Sequence, residues 1–435
     1  MLDHASRGTS ATTTREAPPR TAPPPATVRP APAAPTRRRQ ARAPAAGSPP
    51  QEHARRLERV RAVMAQRSLA ALVVADPASI NYLSGYNAWS FYTPQCLVVP
   101  AAGSPVLFAR AMDAAGATFT TWLGTDDVEG YPEELVHNET THPYLWIAGR
   151  LRERGLVTDG DVVAADLDAH FFSARGYLAL AAGLPGVRIE DSRALVNWVR
   201  LVKSPYELDQ LRIAGTIAQR AMEVALAAVR PGRRQCDVVA DIMAAQAVGT
   251  PEHGGDYPSI VPMLPTGRRA GTPHLTWSDE RLRAGEATTV ELAGAYRRYN
   301  VPLARTVIPG RPDRRLAHTA LVVRDAMAQL LAAMVPGRTA HEVHAVGQAV
   351  LADAGLVKES RMGYSIGLGY PPDWGEHTVS LRPGEQVALQ AGMCFHVILG
   401  MWMDGWGYEL SEPVVVTAGG VERLTRLTQN LTIIR

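Results

Sequence analysis

Cysteine is scarce: three residues in 435, at positions 96, 236 and 394, with no CxxC pair among them. That excludes a disulfide-stapled scaffold and a zinc or redox site built on thiols, and it suits a reducing cytoplasm. Long apolar runs are missing too. No stretch of 18 apolar residues occurs, so no membrane span is expected, and the N-terminus lacks the apolar segment of a secretory signal. Aromatics make up only 6% of the chain, so any place where they crowd together needs a reason. A basic folded body is also lacking. Residues 1–50 hold eight arginines against Asp3 and Glu16, and this segment alone exceeds the net charge of +3. The remainder is slightly acidic, which argues against a nucleic-acid partner.

What is present is enough apolar sequence, 46% of the residues, for one large and one smaller core. Residues 1–50, with eleven prolines, cannot bury enough surface to offset their ordering entropy, so a disordered tail is expected there. From residue 52 the spacing of Leu57, Val60, Val63 and Met64 predicts a helix to about 66. LAALVVAD (69–76) and DVVAAD (161–166) read as buried strands, and QCLVVP with PVLFAR (95–110) as a hairpin. An α/β domain over 51–200 is the expectation.

Ser204-Pro205-Tyr206-Glu207 is a capping-box helix start, and Thr339-Ala340-His341-Glu342 repeats its logic. AMEVALAAVRPGR (221–233) also aligns with AMAQLLAAMVPGR (326–338). Each copy is a long helix, a Pro-Gly break and a second helix, followed by β-rich sequence. Chance similarity of Ala-rich helices is one explanation; a duplicated half, with a site between the copies, is the other.

Four blocks concentrate chemistry. INYLSGYNAWSFYTPQ (80–95) carries Tyr82, Tyr86, Trp89, Phe91 and Tyr92: either a core cluster or a cage for a cationic or flat ligand. The segment 253–279 sets His253, Asp256 and His274 among Gly and Pro, hence on loops. TTVELAGAYRRYNVPLARTVIPG (288–310) alternates like a hairpin with Glu291 inside its apolar first strand. A carboxylate there is costly unless it has a partner or a task, and Arg305 is one candidate partner. The last block, 363–384 with 393–412, interleaves Asp373, Glu376, His377, His396, Asp404, Glu409 and Glu412 with Trp374, Trp402 and Trp406, like the lining of a pocket.

In order and spacing, TGRRAGTPHLTWSDERL, VELAGAYRRY…ARTV, GYSIGLG and GYELSEPVVVT resemble the creatinase/prolidase/methionine-aminopeptidase family. The resemblance implies a creatinase-type N-terminal α/β domain (51–200) followed by a pseudo-two-fold pita-bread catalytic domain (201–435). Metal-dependent members hold two ions with two Asp, one His and two Glu. Glu291, Pro302, Tyr364, Ile398 and Ser411 stand at those five positions here. Pro and Ile offer no side-chain donor, so a metal-free enzyme with no cofactor is expected. By resemblance to creatinase, a metal-free member, His274 falls at the catalytic histidine.

Within the family YLSGYNAWSFYTPQ, GGDYPSIVP, VELAGAYRRY, GYPPDWGEHTVSLRPG and WMDGWGYELSE look most like the ectoine hydrolases. That likeness implies a small cyclic amidine as substrate, opened to an N-acetyl-2,4-diaminobutyrate. Glu291 is then general base or nucleophile and His274 the acid. Substrate contacts are expected from Tyr86, Trp89, Tyr92, Asp256, Tyr364, Glu376, His377, Trp402 and Trp406, with Arg305 for the substrate carboxylate. A homodimer in which residues 82–92 reach the partner's pocket is implied as well. A creatinase-like amidino hydrolase, a metal-dependent Xaa-Pro peptidase and an inactive binding homologue are the competing readings.

Overall fold

The computed structural model describes residues 49–435. The expected tail of 1–50 lies outside them except for Pro49 and Pro50, and Pro50 already starts the helix Pro50–Gln66. That helix buries Leu57, Val60 and Met64, three of the apolar residues that predicted it.

The first half of the chain forms a six-stranded sheet in the order β4-β3-β2-β1-β5-β6. Its strands are β1 (Ala71–Val74), β2 (Cys96–Pro100), β3 (Val106–Arg110), β4 (Val128–Tyr131), β5 (Val162–Ala165) and β6 (Arg188–Asp191). β1 and β5 are parallel; β1 is buried throughout and β5 in all but its first residue. β2 and β3 form the expected antiparallel hairpin.

The second half repeats itself. Helices Pro205–Ala228 and Gln235–Val248 precede the hairpin of β7 (Thr288–Tyr296) and β8 (Tyr299–Pro309). Helices Arg314–Ala333 and Ala340–Asp353 precede β9 (Gly363–Tyr370) and β10 (Asp373–Ser380). Both capping boxes are formed. At the two Pro-Gly breaks, Gly232 and Gly337 both adopt positive φ, 86° and 91°. Their N–H groups donate to matching carbonyls, Gly232 to Leu282 at 2.8 Å and Gly337 to Leu389 at 2.9 Å. The same hydrogen bond at the same break is what a duplicated unit requires and what chance similarity would not supply.

β11 (Cys394–Met403), β12 (Trp406–Thr417), β13 (Gly420–Arg423) and β14 (Thr432–Ile434) complete an eight-stranded sheet. Its main path is β13-β12-β11-β9-β8-β14, with β10 on β9 and β7 on β8. Helix Pro205–Ala228 lies directly against β7. A Cβ on Gly294 would stand 2.2 Å from the Ala214 carbonyl oxygen and the Ala218 nitrogen, so only glycine allows this approach.

Buried Arg56 ties the halves together. Its guanidinium donates to the Tyr82 carbonyl and the Tyr299 hydroxyl and stacks 4.3 Å over the Tyr82 ring. No helix among the described residues is long and apolar enough to cross a membrane. All three cysteines are free.

Candidate active site

Period-two alternation decides which side chains share a cavity. On the β7–β8 hairpin Glu291 pairs with Ala304, and Val290 with Arg305. Glu291 and Arg305 therefore project to opposite faces. On β12, Glu409 and Glu412 are three residues apart and project oppositely too. Arg305 takes Glu412 at 2.7 Å, and its other N–H groups go to the carbonyls of Thr428, Ala304 and Ser411. Glu412 is shared with Arg423 at 2.8 Å. This corrects the expectation that Arg305 pairs with Glu291 or holds a substrate carboxylate: its donors are spent inside the protein.

Six acids are buried among the described residues: Asp166, Glu207, Glu291, Glu376, Glu409 and Glu412. Four have partners. Asp166 accepts from Ser192 and the Ala75 N–H. Glu207 accepts from Tyr299 and the Ser204 N–H. Glu376 takes Lys203 at 2.6 Å, and Glu412 has its two arginines. Glu291, 7% exposed, and Glu409, 5% exposed, have no side-chain hydrogen bond to any described residue. Neither carboxyl is among the fully enclosed polar atoms that lack a partner, so both reach space that a ligand's donors can enter.

Their surroundings push both toward the neutral form. Burial raises Glu291 well above the usual carboxylate range, and the charges of Glu409 and Asp373 push it further. Burial raises Glu409 to about 7, and the Lys358 ammonium pulls it back. Burial also lowers Lys358 to about 8. Lys358 Nζ donates to Ser360 at 2.8 Å and to the Gly400 carbonyl at 3.1 Å, and stands 5.0 Å from the Trp402 ring centroid. Gly400 pairs with Glu409 in the β11–β12 ladder, so lysine, acid and tryptophan meet across one register.

Tyr364 is the third member. Its hydroxyl accepts from Trp374 Nε1 at 2.7 Å and shares a 3.0 Å hydrogen bond with His396 Nδ1. Burial, with Glu291 second, raises its phenol. His396 is driven down to about 3 by burial, aided by Arg361 and Arg305, so its imidazole is neutral; its Nε2 has no partner. Arg361 stacks 4.2 Å over the Tyr364 ring.

The other expected residues are distributed more widely. Tyr86 is a core residue bonded to Ser90, which corrects its placement in a binding cage. Trp89 and Tyr92 are each 58% exposed, and Trp89 meets Tyr257 edge-on at 4.7 Å. Asp256 accepts from the Arg298 N–H at the β7–β8 turn. Five strand residues lie between Glu291 and that turn, and the Asp256 N–H donates to the Ala295 carbonyl, so its carboxylate is spent at the turn end of the hairpin. Glu376 is corrected to a buried ion pair with Lys203.

His377 pairs with Asp373 at 2.7 Å, and both line a cavity of about 110 Å³. That cavity opens at the ends of β1, β5 and β6, beside Asp76, Asp166, His170 and Arg200. His274 sits on an exposed loop with φ of 64°, without a hydrogen bond to a described residue. The loop follows Gly271, which packs on Met403, Gly405 and Trp406 of the β11–β12 turn. Trp406 is half-buried beneath Arg315. Glu409, His396 and Trp374 belong to the polar-aromatic block that reads as pocket lining, whereas Lys358, a lone lysine after a helix, gives no sequence signal.

Known proteins match the sequence and the fold. The Creatinase/Prolidase N-terminal domain model matches residues 56–202, and the Metallopeptidase family M24 model matches 209–418. A protein of Halomonas elongata named ectoine hydrolase is 40% identical over 88% of this chain and 97% of its own. This chain belongs to the M24 family. It is a hydrolase of that family, with the creatinase-type N-terminal domain and the pita-bread fold. A Sinorhizobium fredii protein named as an uncharacterized hydrolase/peptidase is 37% identical over 88% of this chain and 97% of its own. Among solved structures, dipeptidase PepE from Mycobacterium ulcerans superposes with a TM-score of 0.72 at 26% identity, over 89% of this chain and all of that one. Prolidase from Thermococcus sibiricus gives 0.76 at 18% identity, over 88% and 99%, and shows the fold alone.

The family is named for metallopeptidases, so the donor set bears on what this site can hold. Ser411 Oγ, at a position that the resemblance aligns with a metal ligand, accepts the Ala304 N–H at 2.6 Å, and the Tyr364 hydroxyl is taken by Trp374 and His396. Pro302 and Ile398 offer no donor. Among the described residues no three His, Cys, Asp or Glu side chains converge to hold a metal ion. The residues present do not fit the two-metal centre.

Proposed function

We propose that this hydrolase opens the cyclic amidine ring of ectoine, without a metal, to an N-acetyl-2,4-diaminobutyrate. The observation that carries the reading is the pair of buried acids, Glu291 and Glu409, that no protein group satisfies. An amidinium is flat and cationic and presents N–H donors. Seated between two such acids it supplies the charge and the hydrogen bonds they lack, and the neighbouring Trp402 ring suits its face. The 40% identity to a protein named ectoine hydrolase points the same way.

The amidinium carbon is electrophilic without a Lewis acid. Glu291, ionised by the arriving cation, draws a proton from water as it adds to that carbon, or attacks the carbon itself. Arg361, over Tyr364, is the cation on offer for the substrate carboxylate. His274 is the expected donor to the departing nitrogen, but it stands exposed and an inward-facing acid is better positioned for that step.

Incubation of the protein with ectoine, followed by NMR with and without chelator, is the direct test. Ring opening that chelator leaves unchanged is expected. Chelator-sensitive turnover would remove the metal-free mechanism, and no turnover alongside hydrolysis of a guanidino substrate such as creatine would move the activity to an amidino hydrolase. By resemblance the working unit is a cytoplasmic homodimer, with exposed Trp89 and Tyr92 at the partner's site; sedimentation at the monomer mass would refute this.

A further inference from the structure

The exposed position of His274 leaves the departing nitrogen without a proton source, and the unused groups around Glu291 supply one. We propose that Glu409 is a second catalytic carboxyl, exchanging one proton with Glu291 and delivering it to the departing ring nitrogen, with Lys358 positioned to set where that proton rests.

The placement follows from the strands. Glu409 lies on β12 on the side opposite Glu412, and Glu291 on β7 on the side opposite Arg305. The Arg305–Glu412 pair therefore fills one face and the two free acids share the other. Thr306 Oγ1 clamps the Glu409 backbone, donating to its carbonyl at 2.9 Å and accepting from its N–H at 2.8 Å. The Ala304 N–H, on the residue paired with Glu291, donates to Ser411 two residues along β12. These side-chain hydrogen bonds hold β12 against β8, whose ladder partner β7 carries Glu291. The groups beside this pair are Lys358 from the segment after helix Ala340–Asp353, Tyr364 from β9 and Asp373 from β10, with neutral His396 from β11 and Arg361 against Tyr364.

Two buried carboxyls that feel each other's charge do not both ionise readily, so they hold one proton between them. In the empty site the Lys358 cation favours the anion at Glu409, and the proton rests on Glu291. A bound amidinium favours the anion at Glu291, and the proton moves to Glu409. Water then adds to the amidinium carbon: a C–O bond forms and Glu291 takes the water proton. The tetrahedral adduct is neutral. Glu409 gives its proton to the ring nitrogen, the C–N bond breaks with its electron pair on that nitrogen, and the hydroxyl proton passes to the freed amine. The products are an amide and an ammonium. Glu291 again holds the proton and Glu409 is again the anion, so the cycle closes with no outside proton.

This inference rests on the ring-opening reading, and its tests separate the two. Glu409→Gln is expected to lower kcat for ectoine opening roughly 100- to 10,000-fold. In wild type, kcat/KM should rise with pH through about 7, where Glu409 ionises. Lys358→Met removes the cation that favours the anion, so this acid limb should move to higher pH; a purely structural lysine would lower activity without moving it. A third measurement needs no substrate. The infrared band of protonated carboxyl should titrate near pH 7 in wild type and lose that step in Glu409→Gln. Wild-type protein inert toward ectoine but keeping this titration would sink the substrate and not the acid pair. Near-normal kcat in Glu409→Gln, an unmoved acid limb in Lys358→Met, or an infrared step that survives Glu409→Gln would each overturn the proposal. Should Glu409→Gln fail to fold, Lys358→Met decides.

Discussion

Glu291→Gln should abolish ectoine opening, by roughly 100-fold at least and up to about 10,000-fold, while the protein melts no lower than wild type. Both halves of this expectation have one cause. The carboxyl is buried, held toward neutrality by its surroundings, and unpaired in the protein. A neutral amide of the same shape asks for no counter-charge, so the fold loses nothing. The reaction loses its base, because an amide cannot accept the proton of the attacking water. Turnover by NMR and a thermal melt on the same sample suffice. Unimpaired turnover would reject the role of Glu291. A large drop in melting temperature would instead show that its carboxyl has a structural partner.

Arg305→Met should do the reverse, lowering stability by roughly 3–5 kcal/mol. The guanidinium is buried and spends its N–H groups on Glu412 and three backbone carbonyls. Removing it strands those acceptors and leaves Glu412 with Arg423 alone. Because Arg423 is partly exposed and remains bonded, the loss should fall toward the lower end of that range. Urea unfolding at fixed pH measures it. A loss below about 1 kcal/mol, or a selective rise in KM at unchanged stability, would return Arg305 to the substrate.

The contrast between these residues shows what the sequence made legible. Both lie in one alternating hairpin, and each reads as a buried charge in need of a reason. Pairing them with each other was the simplest reading, and the pleat rules it out: residues facing Glu291 across the ladder are even-numbered on β8, and Arg305 is odd. The acids of β12 show the same point. Glu409 and Glu412 look alike in GYELSE, yet Glu412 is locked to two arginines and the Glu409 carboxyl has no hydrogen bond to a described residue. Glu376 and Asp256 stand in blocks rich in chemistry. Their roles, in an ion pair with Lys203 and as an acceptor for a turn, depend on partners 173 and 42 residues away in the chain.

Taken alone, the sequence determined the elements and their repetition. Capping boxes, Pro-Gly breaks, apolar runs and period-two strands act over a few residues, and the duplicated helix pairs carry the same local signals twice. It also determined that Pro302 and Ile398 cannot bind a metal, since that follows from side-chain chemistry wherever they lie. Only the tertiary structure decided which charges are already satisfied. Hydrogen bonds and ion pairs are short-ranged, and the chain brings their partners together from distant segments. Whether a buried acid is a strut or a reagent therefore depends on what the fold leaves beside it.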